Sequence, residues 1–120
     1  MRIAYAMLAV MLAGVACSSN PTGNNSNTPG ADEVFLQGSL FNPLTRTVTA
    51  GTTVKWTNKD GITHNITSSS VPAGASALAS GSLGNSATYQ ATLTVPGTYQ
   101  YYCTIHGTPT TGMHATIVVN

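Results

Sequence analysis

The chain has 120 residues, only 6% of them charged, and a formal net charge of +1. With no Lys/Arg cluster, and no aromatic residues interleaved with basic ones, it offers no nucleic-acid surface. The richness in Thr, Val, Gly and Ser favours strands over helices, and the length allows one domain.

Residues 1–16, MRIAYAMLAVMLAGVA, place one cation before an apolar run that ends in small residues. That is the pattern of an export signal, and the run is too short to be read as a transmembrane helix. Gly14-Val15-Ala16 leads into Cys17, which resembles the cleavage box of bacterial lipoproteins, where the cysteine is acylated and becomes the new amino terminus. An ordinary secretory signal ending near a cysteine is the alternative. Acylation at Cys17 would anchor an exported protein on the periplasmic or cell-surface face of a bacterial membrane. It would also leave Cys103 as the only free thiol. Loss of Arg2 with the signal leaves three cations and three anions, a formal charge of zero.

Residues 17–32 are expected to be a flexible tether. SSNPTGNNSNTPGA (18–31) has no apolar periodicity and cannot bury a core. Its fourteen residues would hold the domain at roughly 20 Å from a membrane surface.

The domain is expected over residues 33–120. Val34, Leu36 and Leu40 share one parity in a first strand, and Asn42-Pro43 marks a turn. Leu44 to Thr49 alternates, then Thr53 to Thr57 puts Val54 and Trp56 on one face. Asn58 to Gly61 turns, and residues 62–67 read as a strand with His64 on the parity of Ile62 and Ile66. Residues 68–86 form a long polar connection with a weak helical signal at 75–79. Strands follow at 87–95, at 98–103 after the Pro96-Gly97 turn, and at 115–119. About seven short strands with closely spaced turns indicate an antiparallel sandwich or barrel.

Four side chains point to metal chemistry. Cys103 shares its parity with Tyr99 and Tyr101 and sits where a strand ends; His106 follows in Cys-x-x-His; Met113 lies seven residues on; His64 comes earlier. Each alone has a plainer account: a buried cysteine as a small hydrophobe, a loop histidine, a core-filling methionine, a satisfied core histidine. Together, thiolate, two imidazoles and a thioether are the soft ligand set suited to one copper ion cycling between Cu(I) and Cu(II). The three acids, Asp32, Glu33 and Asp60, fall at termini or turns and form no pair for hydrolysis.

The order His, Cys-x-x-His, Met resembles the cupredoxin family of small blue copper proteins. The resemblance is carried by Gly51 to Asn58, by His64-Asn65 and by Pro96 to His106, and covers roughly residues 33–120. It implies an all-β Greek-key sandwich of seven to eight strands and a monomeric electron carrier, not an enzyme. It also implies His64, Cys103 and His106 as strong copper ligands and Met113 as the weak axial one. Asn65 would tie the ligand strands together near the sulfur. His106 would sit in an apolar docking patch for a redox donor and acceptor, with Tyr102 as a second electron exit. One departure concerns the axial ligand. Six residues separate His106 from Met113 where the family usually has two to four, and His114 is a competitor only if the last strand slips by one residue. A copper storage or delivery module, and a metal-free structural sandwich on a lipid tether, are the alternatives. A reversible one-electron wave separates the carrier from the first, and a copper response from the second.

Overall fold

The computed structural model describes residues 27–120; the expected export signal, Cys17 and residues 17–26 of the expected tether lie outside the described residues. Eight strands and no helix make up the described chain. They are β1 (Glu33–Gln37), β2 (Leu40–Asn42), β3 (Thr45–Val48), β4 (Thr52–Asn58), β5 (Thr67–Ser70), β6 (Thr88–Leu93), β7 (Gly97–Gly107) and β8 (Gly112–Val119). Two four-stranded sheets, β2-β1-β4-β6 and β3-β8-β7-β5, face each other as a β-sandwich.

From β2 to β7 the chain changes sheet at every connection, and only β1–β2 and β7–β8 are joined within a sheet, so the other sheet neighbours are distant in sequence. That allows parallel pairing, which a tight hairpin forbids. The β1–β4 and β3–β8 pairs are parallel, and the other four pairs are antiparallel as expected.

The core forms where apolar residues alternate. Val54 and Trp56 on β4, Tyr99, Tyr101 and Cys103 on β7, and Met113, Ala115, Ile117 and Val119 on β8 are all buried. Phe41 and Trp56 both meet the Tyr101 ring edge to face, at centroid distances of 4.8 and 5.7 Å. Burial pushes the Tyr101 hydroxyl above the usual tyrosine range, offset in part by the Trp56 indole, so it stays protonated.

Several local expectations differ from the fold. Leu40 does not share an inward face with Val34 and Leu36. It begins β2 after the Gly38-Ser39 turn and is exposed, while Phe35 is buried as well. Residues 62–66 are not a strand. His64 makes an isolated antiparallel bridge with Leu83, Ile62 is exposed, and the ladder to β7 starts only at Thr67. The 75–79 helix does not form, because the segment runs alongside residues 66–68: Leu78 O accepts from Ser68 N, and Ser68 Oγ accepts from Leu78 N. Leu78 and Leu83 are thereby buried as a lid on the core. The end of the tether is held rather than free, since Gly30 O accepts from Arg46 Nη2 and from the Glu33 backbone.

Candidate metal centre

Three segments meet at one end of the sandwich. The first is the 58–66 connection. Asn58, fully buried, donates through Nδ2 to Ile62 O and Leu83 O at 2.8 Å each, and its Oδ1 accepts from the Asp60 backbone. Paired backbone bonds between His64 and Leu83, 3.0 and 2.8 Å, fix the His64 main chain. A polar segment with so few ladder bonds is held rigid instead by side-chain amides.

The second and third segments are the ends of β7 and β8. Their register runs regularly to Tyr102↔His114 and resumes at Gly107↔Gly112. Between those pairs the four residues Cys103 to His106 stand against the single residue Met113. The surplus arches β7 away from its partner, which bulges do. The long His106–Met113 spacing is absorbed by the turn beyond: Thr108 N donates to Thr111 O at 2.9 Å, and the two threonine hydroxyls meet at 2.7 Å. Met113 is therefore opposite the arch, fully buried. His114, half-buried, takes the other parity, so the strand does not slip.

The candidate ligand atoms of His64, Cys103 and His106 lie within 4.8 Å of one another. His64 Nδ1 and His106 Nδ1 are 3.0 Å apart, and Cys103 Sγ is 3.9 and 3.7 Å from them. Cys103 and His64 are fully buried and His106 is half-buried. A first-row ion bonding imidazole nitrogen at about 2.0–2.1 Å and thiolate sulfur at about 2.3 Å in a trigonal plane separates N from S by about 3.7 Å. The two N–S separations fit such an ion, and the 3.0 Å between the nitrogens is shorter than about 3.6 Å, the value in an ideal trigonal plane.

The chain belongs to the plastocyanin/azurin family of copper binding proteins. Residues 32–120 match the family model described as "Copper binding proteins, plastocyanin/azurin family". A plastocyanin of Synechococcus sp. (strain JA-2-3B'a(2-13)) is 32% identical, over 99% of this chain and 93% of that protein. Plastocyanin A/B of Petroselinum crispum is 38% identical, over 69% of this chain and 90% of its own length. Among solved structures, an amicyanin variant in its oxidised state superposes with a TM-score of 0.64 at 31% identity, covering 76% of this chain and 83% of that one. The family binds one copper, and His64, Cys103 and His106 lie close enough to form its site.

Beside the cupredoxin trio, Asn65 bridges to the segment that carries the sulfur. Its Nδ2 donates to Thr104 Oγ1 at 2.7 Å, and its Oδ1 accepts from Thr104 N at 3.1 Å and from Thr67 Oγ1 at 3.1 Å. Asn65→Ala is expected to cost about 1–2 kcal/mol, since three solvent-accessible bonds are lost together. Thermal unfolding of the metal-free protein measures it. Tyr102 is half-buried and pairs across the sheet with Thr67 and His114.

Sequence reasoning missed Asp60. Its Oδ2 lies 2.7 Å from His64 Nε2, on the side of the ring away from the trio. Burial works against this carboxylate, but donors from Ser39 and Gly38 and the His64 ring outweigh it and hold its pKa below the usual aspartate range. An acid four residues before the first histidine was the available signal, and the turn chemistry of Asn58 to Gly61 masked it.

Proposed function

We propose that the protein is a type 1 blue copper protein that carries single electrons between redox partners. One observation carries the reading: two Nδ1 atoms and a thiol sulfur converge in a largely buried site, His64 from the 58–66 connection and Cys103 and His106 from β7, both segments held by hydrogen bonds. His64 Nδ1, Cys103 Sγ and His106 Nδ1 would be the strong ligands and Met113 the weak axial one. Copper bound there supplies a one-electron change between Cu(I) and Cu(II).

The chain's own residues do the rest. The Asn58 and Asn65 bonds and the β7 arch hold the donors in one compromise arrangement, so that a change of oxidation state requires little ligand movement. Cys103 is fully buried, which keeps bulk water from the sulfur. Three strong donors and a weak fourth leave no open position of the kind that hydrolytic metal sites keep, which favours a carrier over an enzyme. His106 reaches toward solvent next to Ile105, which is 54% exposed, and this edge would meet the redox donor and acceptor, with Tyr102 as a second exit. The leader that precedes Cys17 supports an exported, lipid-anchored protein.

The test is the visible spectrum of the protein titrated with copper(II). An intense blue band at one equivalent supports the reading, and a colourless product removes it. With no net charge on the processed chain, encounter would rest on apolar contact. Electron-transfer rates with the physiological partner are expected to change by less than about threefold between low and high salt, as measured by stopped flow.

A further inference from the structure

We infer that Asp60 is a positioning residue for the first copper ligand, fixing the His64 ring with a bare Nδ1 toward the site and setting a carboxylate behind it that favours Cu(II) over Cu(I). The inference rests on the copper reading above and goes beyond it by assigning a control of the redox balance to one side chain.

A carboxylate only accepts hydrogen bonds. At 2.7 Å from Asp60 Oδ2, His64 Nε2 must carry the proton, and the neutral ring then presents a lone pair at Nδ1. That nitrogen is the one facing Cys103 Sγ and His106 Nδ1.

The carboxylate is itself fixed from both ends. Gly38 N donates to Oδ1 at 2.7 Å and Ser39 N to Oδ2 at 2.9 Å. Those consecutive N–H groups face one acceptor because Gly38 and Ser39 both take positive φ, 64° and 56°. On its main chain, Asp60 N donates to Asn58 Oδ1 at 2.8 Å and Asp60 O accepts from Asn85 Nδ2 at 2.7 Å. The β1–β2 turn, the Asn58 cage and the ligand are thus one connected unit. A carboxylate on the far nitrogen raises the basicity of a metal-bound imidazole, and the more highly charged ion gains more from it.

The experiment uses the full chain as wild type, Asp60→Asn and Asp60→Ala. Midpoint potentials are taken by voltammetry after copper loading, and the ¹⁵N–¹H ring correlations of His64 are recorded without metal. Both variants are expected to keep the blue band. Asp60→Asn should shift the Cu(II)/Cu(I) affinity ratio about tenfold toward Cu(I), a rise of about 59 mV for a one-electron couple. The metal-free wild type should show the Nε2–H tautomer alone, and Asp60→Ala a mixture. A variant with lowered thermal stability but a potential unchanged within about twofold in affinity ratio overturns the inference, since a purely structural role predicts that result. So does an Nδ1–H tautomer in the wild type, a measurement that needs no variant to fold. If wild type itself takes up no copper, the functional reading fails, and the tautomer data alone decide whether Asp60 orients His64.

Discussion

Cys103→Ser is expected to remove the visible band completely and to abolish the one-electron wave, while leaving the fold intact. Thiolate, not thiol, binds metal, and it is the soft donor that lets one site serve both copper oxidation states. A serine hydroxyl stays protonated near neutral pH and is a harder donor, so the two histidines would be left with an ill-suited third partner. The metal-free fold should tolerate the change. Cys103 is fully buried, but its sulfur lies 3.9 and 3.7 Å from two imidazole nitrogens that can pair with a hydroxyl. The cost should stay below about 1.5 kcal/mol, the range of a single rearranged hydrogen bond. Circular dichroism separates the two effects. A serine variant that folds and still turns blue would remove Cys103 from the ligand set.

The residues that announced themselves in the sequence are those whose environment is set by near neighbours. Val54 and Trp56 alternate with Lys55, and β4 buries them as that pattern dictates, though Thr57 and Asn58 at its end are buried as well. Cys103 inherits its inward direction from Tyr99 and Tyr101, three side chains on one face of one strand. What was not legible depends on segments far apart in the chain. His64 looked like a strand residue because Ile62 and Ile66 share its parity, yet its main chain is held by Leu83 across a single bridge. Nothing local to 62–66 announces that partner. Asp60 looked like a turn former, but within its turn it is Asn58 Oδ1 that accepts from the Asp60 backbone N. The Asp60 side chain is claimed by Gly38 and Ser39, 22 and 21 residues away, and by His64. Leu40 was assigned to the core by counting parity through Gly38-Ser39, where two positive-φ residues reverse the chain. Parity counting fails at such a turn, since the alternation holds only along continuous extended backbone.

The spacing between His106 and Met113 leads to the second large effect. A loop two residues longer than the family's usual maximum ought to carry the methionine away from the trio. The structure spends the excess on a hairpin tip, Thr108 to Thr111, and pinches the base shut with Gly107 and Gly112. The pinch is tight enough to test. A Cβ on Gly107 would lie 2.4 Å from Met113 N and 2.7 Å from Met113 O, and one on Gly112 would lie 2.6 Å from His106 O. These contacts are with backbone, so no rotamer change relieves them. Gly107→Ala is expected to part the strands at Met113 and to destabilise the protein by about 3 kcal/mol, the upper end for overpacking. For a domain of this size that lowers Tm by about 12–24 °C. Because Met113 must move, the band of the copper-loaded variant should also shift in wavelength or intensity. Thr110→Ala, at the exposed tip, is the control and should stay within about 0.5 kcal/mol of wild type with an unchanged spectrum. If Gly107→Ala lost stability but kept the spectrum of the wild type, the hairpin would be a structural closure only, and Met113 would not be the axial ligand. If it melted within about 2 °C of wild type, less than 1 kcal/mol for a domain of this size, the pinch itself would be refuted.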